Sequence, residues 1–229
     1  MRIVRLIAGF LLLPLCFAAT KALFGILLST HPDGAGAATP AEWAIVVGFC
    51  LWLFLYFTLP RPVRSYILAH ELTHALWAWM SGAVVHGIKV AEDSGSVVLS
   101  KSNFLVMLAP YFFPLYTVIV IAAYCILSIF LPVADYYVFW FGLIGLTWGF
   151  HFTFTISTLL QHQTDIRDCG YVFSYTFIFF LNVLGILVWI VVVSDVTLEE
   201  TVGIMSDETR IIAAYCSEAF AHIGKIVGQ

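Results

Sequence analysis

His70, Glu71 and His74 form the pattern H-E-x-x-H within the apolar stretch LAHELTHALWAW. On a helix, residues four positions apart lie on one face with Cβ atoms about 5–6 Å apart, so both imidazoles can bind one metal ion. Glu71 follows the first histidine directly and can reach a water molecule on that ion without being a ligand itself. The pattern therefore predicts a metal site that activates water for hydrolysis.

The composition of the chain makes this pattern unusual. Of its 229 residues, 62% are hydrophobic and 10% are charged, and the mean hydropathy is +0.99, which indicates a membrane protein. Ionisable groups inside a bilayer cost several kcal/mol each, so three of them in one stretch indicate a shared purpose, which a metal ion provides. The alternative is that they are polar helix-packing residues satisfied by their neighbours.

Charge and cysteine usage exclude other classes of protein. The net charge is −4 and the basic residues are scattered, so we expect no nucleic acid partner. The cysteines stand far apart without a C-x-x-C pair, which predicts small buried thiols and no disulfide framework. They are Cys16, Cys50, Cys125, Cys169 and Cys216.

Long apolar runs predict an all-α polytopic fold with about six membrane helices. The first run continues past the point where a signal peptide would end, so we expect an uncleaved first span. The predicted elements are Leu6–Ser29, Trp43–Leu59, Val63–Met80, Phe104–Leu131, Tyr136–Leu160 and Tyr171–Val193.

Two segments differ from these runs. Residues 84–100 contain two short β-rich stretches around an Asp-Ser-Gly turn, which predicts a β-hairpin after the H-E-x-x-H helix. From Asp195 onward the chain is acidic and alternates at helical spacing, which predicts an amphipathic helix outside the membrane core. We therefore expect a transmembrane domain over residues 1–194 and a polar terminal helix over residues 195–229.

The placement of arginines predicts the orientation in the membrane. Arg2 and Arg5 precede the first predicted span, and Arg61 and Arg64 follow the second, so both clusters lie on one side. Basic residues beside short loops favour the cytoplasmic side. We expect the N-terminus to lie in the cytoplasm.

The segment HELTHALWAWMSGAVVHGIKV, the later APYFFP and the late LLQHQTD together resemble the site-2 protease family of intramembrane zinc metalloproteases, especially its small bacterial members. The preceding PRPVRSYILAHE is also similar to that group, and the resemblance covers about residues 60–182. It implies a protein of the bacterial inner membrane that binds Zn²⁺ through two histidines and a distant aspartate. Its glutamate would activate water, and its partner would be a protein substrate cut in a transmembrane segment.

Catalytic zinc usually takes three protein ligands, so the motif requires one more. The downstream glutamates all lie in predicted extramembrane segments, which disfavours a glutamate ligand; they are Glu92, Glu199, Glu200, Glu208 and Glu218. Asp165 is the preferred candidate, because it follows a span as the ligand aspartate does in the site-2 protease pattern. That pattern usually has Asn and Pro upstream and Gly directly afterwards, where this chain has Ser157, Gln161 and Ile166.

Depth also favours Asp165 over two competitors. His74 is about 12 Å of helix from Gly82, and Asp165 could reach it if the predicted non-helical QHQTD returns to the hairpin side and dips inward. Asp168 is the alternative ligand, and both aspartates could instead be interfacial charges that pair with Arg167. His151 would lie more than about 13 Å from the end of its helix, so we expect it to line a cavity.

The residues leave other functions open. A non-enzymatic carrier of metal ions or protons could use His70, His74, His151 and Asp165 as a relay, but it would have no need for Glu71. A catalytically inactive scaffold related to site-2 proteases is a further alternative. For the hydrolase, the hairpin is a candidate edge for pairing an extended substrate strand.

Overall fold

The computed structural model describes residues 2–30 and 38–227. They form a mainly helical protein with one two-stranded antiparallel sheet. The helices are α1 (Arg2–Thr30), α2 (Pro40–Thr58), α3 (Val63–Met80), α4 (Phe104–Leu108), α5 (Leu115–Leu127), α6 (Tyr137–Leu159), α7 (Thr164–Cys169), α8 (Tyr171–Val193) and α9 (Leu198–Val227). The strands are β1 (Val85–Val90) and β2 (Gly95–Leu99), and 3-10 turns occupy Ala109–Tyr111 and Val133–Tyr136.

Four helical segments are long and apolar enough to cross a membrane: Ile3–Leu28, Pro40–Thr58, Val133–Leu159 and Tyr171–Val193. A fifth would come from Phe104–Tyr111 and Leu115–Leu127, which meet at 82° and form either a broken span or a re-entrant loop. These helices indicate a membrane protein. The helix α3 covers the predicted residues but is not one of the four, so the count of about six stays a prediction.

The chain divides into a terminal unit, Met1–Ala37 with Gly170–Gln229, and a central unit, Ala38–Cys169. Within the terminal unit, α1 packs against α8 and α9, and Lys21 Nζ lies 2.7 Å from a carboxylate oxygen of Glu208. The predicted boundary between residues 194 and 195 falls inside this unit. A separate domain over residues 195–229 stays a prediction.

Close packing of α2 on α6 provides the scaffold of the central unit. Glycines of both helices lie at this contact, and a Cβ atom added to Gly145 would collide with the carbonyl oxygen of Ile45. The two backbones therefore approach each other as small residues allow in membrane helix pairs. Towards their C-terminal ends the contact becomes aromatic, through Trp52, Tyr56, Phe150 and Phe154.

The helix α3 begins after the Pro-Arg-Pro segment, which cannot continue α2. Its buried positions include Ile67, Glu71, His74 and Ala78 at spacings of four, three and four, so the polar motif lies on the buried face. The hairpin β1–β2 packs along α3. A Cβ atom at Gly95 would lie 2.6 Å from Ile67 Cγ2, so the hairpin's turn lies beside the first half of α3.

Candidate metal centre

Three predicted ligands converge in the central unit. The Nε2 atoms of His70 and His74 lie 3.1 Å apart, and Asp165 Oδ2 lies 3.7 Å from His70 Nε2 and 3.4 Å from His74 Nε2. Within the described residues, this is the group of histidine, cysteine and carboxylate side chains that could hold a metal ion. Sequence separation does not prevent the contact, because α7 brings Asp165 back against α3.

The three donor atoms fit a tetrahedral ion. Bonds of about 2.0–2.2 Å to nitrogen and oxygen separate tetrahedral ligand atoms by roughly 3.3 Å. The observed separations of 3.1, 3.4 and 3.7 Å surround that value. The set supplies three protein donors and leaves a fourth position open, which is the pattern of catalytic rather than structural zinc sites.

The backbone of α4 fixes the tautomer of His74. His74 Nδ1 lies 2.8 Å from the carbonyl oxygen of Val106, and a carbonyl can only accept a hydrogen bond, so Nδ1 carries the proton. The Nε2 lone pair of the neutral ring therefore points to the site. Asn103 caps α4 through a 2.9 Å bond from the Val106 amide, which holds this carbonyl in place.

Tyr66 holds the other histidine. Its hydroxyl lies 3.2 Å from His70 Nδ1, one helical turn away on α3. The Tyr66 ring stacks on Phe154 of α6 with centroids 4.8 Å apart and an interplanar angle of 8°. When His70 Nδ1 donates to this hydroxyl, Nε2 is left as the metal-binding atom, as in other sites where an outer partner orients the imidazole.

Asp165 lies in the first turn of α7, which begins at Thr164. The predicted non-helical approach is therefore correct for Gln161, His162 and Gln163 and wrong only for Thr164 and Asp165. The predicted side is also wrong, because Gln161 and Gln163 lie with Arg61 and Val63, where α3 begins, and not where the hairpin begins. The chain approaches Asp165 from the N-terminal end of α3, and not from the end near Gly82.

The two imidazoles keep Asp165 ionised. Burial alone would raise the pKa of the Asp165 carboxyl, but without an ion, hydrogen bonds and charge interactions with the protonated forms of His70 and His74 outweigh it and hold the pKa well below its usual range. A bound cation would take the place of the protons on the two Nε2 atoms. An ionised carboxylate is the form that binds a cation.

The two competing ligands lie elsewhere. The Asp168 side chain is 54% exposed and pairs with Arg167 at 3.1 Å, so α7 turns it away from the histidines. His151 is buried on α6 and lines a small cavity of about 20 Å³ together with His70 and Thr73. Of the three candidates for the third ligand, the structure brings Asp165 to the pair.

Glu71 borders the same centre and is 8% exposed. With His70 it lines an open cleft of about 400 Å³, whose polar lining includes Arg61, Asp93 and Gln161. Gly95 is so close that a Cβ atom there would lie 2.7 Å from Glu71 Oε1. Glu71 is thus placed between the hairpin and the first histidine, at a cleft that water can enter.

Two tyrosines at this centre were not predicted. Tyr66 could have been found, because it precedes His70 by four residues and must share its helix face. Tyr111 donates to Asp165 Oδ2 at 3.2 Å, and no spacing in the sequence connects it to either motif. The contact with the Val106 carbonyl could not be predicted from the sequence either, since every residue type has a backbone carbonyl.

Comparison with known proteins adds nothing to this geometry. No protein-family model, curated protein or solved structure matches the chain. Function is therefore inferred from the residues of this chain.

Proposed function

We propose that the chain is a membrane-embedded zinc metallopeptidase, similar to site-2 proteases, that hydrolyses a peptide bond in or near a transmembrane segment of a protein substrate. The observation that carries this proposal is the convergence of His70, His74 and Asp165 beside Glu71 at an open cleft. Two imidazoles and one carboxylate with an open position are the donor set of catalytic zinc sites.

The residues of the centre divide the chemistry among them. A zinc ion held by His70, His74 and Asp165 would supply a Lewis acid at which water becomes nucleophilic near neutral pH. Glu71 accepts one proton from the attacking water and gives it to the leaving amine, so the peptide bond breaks without a net change in the enzyme. This role explains why a carboxylate follows the first histidine.

The cleft provides a route for the substrate. Asp93, Ser94 and Gly95 at the hairpin's turn line it together with Tyr66 and Phe154. Both strands of a two-stranded sheet have an outer edge, so an extended peptide can pair with the hairpin and pass Glu71. A helical substrate segment would have to unwind to present its carbonyl there, because its peptide groups are already hydrogen-bonded.

The proposal includes a location. The four long apolar helices support an integral membrane protein, and the arginines at residues 2, 5, 61 and 64 favour an N-terminus in the cytoplasm of a bacterial cell. The cleft includes Arg61 and Val63 at the start of α3. Substrate would then meet the centre from the side of Arg61.

Mapping of new protein N-termini tests the function without a known substrate. Membranes from cells that express the wild-type chain should contain new termini in or next to transmembrane segments. The same membranes should lack these termini when Glu71→Gln is expressed, because the general base is lost while the three metal ligands remain. Identical sets of termini from both cells would contradict a peptidase, and a metal or proton carrier would keep its transport in Glu71→Gln.

A further inference from the structure

Tyr111 lies on the 3-10 turn that follows α4 and is fully buried. Pro110 lies inside this turn and Pro114 follows it, and neither can donate the backbone hydrogen bond that a continuing helix would require. The next residues, Phe112 and Phe113, both stand edge-on to the Trp77 ring of α3, with centroids 5.4 and 5.8 Å away. The turn is therefore fixed against α3 by its aromatic side chains.

From this fixed turn, Tyr111 contacts two of the three proposed ligands. Its hydroxyl donates to Asp165 Oδ2 at 3.2 Å. Its ring stands edge-to-face against the His70 imidazole, with centroids 5.3 Å apart and an interplanar angle of 87°. One side chain thus touches a ligand from α3 and a ligand from α7.

We propose that Tyr111 is a positioning residue that fixes the Asp165 carboxylate for metal binding. This role rests on the metal centre proposed above. The hydroxyl proton occupies one lone pair of Oδ2, and the other lone pair of the same oxygen is left to face the two Nε2 atoms. Oδ2, and not Oδ1, is then the atom presented to the ion.

Asp165 requires such an external contact because its own helix is short. The helix α7 has six residues, so its hydrogen bonds alone hold the carboxylate weakly. The ion pair between Arg167 and Asp168 on the same helix is exposed and contributes little to its order. Tyr111 connects this short helix to the turn that is packed on α3.

The test is a zinc affinity measurement on the full chain, purified in detergent and titrated with zinc against a chromophoric chelator. Tyr111→Phe keeps the ring and its contact with His70 but removes the hydroxyl. We expect zinc to bind about 10- to 100-fold more weakly, as when other outer partners of metal ligands are removed. The control is Tyr116→Phe, which removes a hydroxyl that donates to the Ser65 carbonyl oxygen at 2.8 Å and should leave zinc affinity unchanged.

A second background separates positioning from general damage to the fold. In Asp165→Ala, only the two histidines remain to bind zinc, and Tyr111→Phe should have no further effect on the residual affinity. An equal loss in both backgrounds, or no loss in the wild-type background, would overturn the role. A wild-type chain that binds no zinc would overturn the metal centre and this role together, whereas zinc binding without proteolysis would count against the peptidase alone.

Discussion

Within the central unit, the contact of α2 with α6 differs in kind from the contact of α3 with α4 and α7. The contact of α2 with α6 requires a glycine, because the two backbones come too close at Gly145 and Ile45 to leave room for a side chain. The second depends on particular atoms, such as His74 Nδ1 against the Val106 carbonyl. Close packing holds the scaffold of α2 and α6, whereas polar contacts between α3 and the short helices α4 and α7 hold the proposed metal centre.

The largest expected effect is at the polar contact. Asp165→Asn replaces an ionised ligand with a neutral amide, and we expect zinc affinity to fall at least about 100-fold, more than removing an outer partner does. Affinity is measured by competition with a chelator on the folded protein.

Asp168→Asn is the matched control, because Asp168 lies on the same helix and pairs with Arg167 instead of the histidines. It should retain wild-type affinity, and His151→Ala should also retain zinc. Wild-type zinc occupancy in Asp165→Asn would show that the third ligand has been assigned wrongly.

At the scaffold, Gly145→Ala should separate α2 from α6, since the added methyl group collides with a backbone oxygen of Ile45. We expect the free energy of unfolding to fall by about 3 kcal/mol, the upper end for an overpacked contact. Thermal unfolding in detergent measures it.

Gly185→Ala is the control for this substitution, because it is also within a long apolar helix but a Cβ atom there meets nothing within 4 Å. Helix propensity alone should raise stability by up to about 1 kcal/mol. Equal effects of the two substitutions would mean that α2 and α6 do not depend on their close approach.

Gly95→Ala should act where the hairpin meets the centre. The methyl group would press on the Glu71 side chain, and displacing a catalytic group by about 1 Å can cost up to about 100-fold in rate. We expect turnover to fall about 10- to 100-fold while zinc affinity is unchanged. Gly87→Ala, in β1 of the same hairpin and with open space around it, should keep wild-type turnover, and an equal loss there would contradict a specific effect on Glu71.

The smallest effect is expected at the start of α2. Thr39 and Glu42 form a capping box there, and Thr39→Ala should reduce the free energy of unfolding by about 1 kcal/mol. Zinc affinity should not change, since the cap belongs to the scaffold. If Thr39→Ala changed zinc affinity but not stability, the start of α2 would belong to the metal centre and not to the scaffold.

The sequence predicts the parts of this molecule that depend on local periodicity. His70, Glu71 and His74 share a helix, so their spacing is enough to place them together. The sequence predicts α3 as a span because it continues an apolar region, yet the polar residues of its motif make it less apolar than the four long helices. In α3, the polar residues that the proposed function requires lower the hydropathy that would mark the helix as a span.

Long-range contacts are harder to predict. A family resemblance and the depth of the motif in the membrane both favour Asp165, but depth predicts the wrong side of approach and misses the start of α7 at Thr164. Tyr111 and the Val106 carbonyl both lie on the segment Phe104–Tyr111, which meets Leu115–Leu127 at 82°. Pro110 and Pro114 indicate a break in the helix, but the angle of the bend and the contacts of the first segment depend on tertiary packing.

Metal analysis of the purified chain tests the central claim most directly. Protein prepared without chelator should contain about one zinc ion per wild-type chain, and His70→Ala should contain almost none while its helix content is unchanged. Equal zinc content in the two proteins, or no zinc in the wild-type chain even after incubation with zinc, would contradict the account.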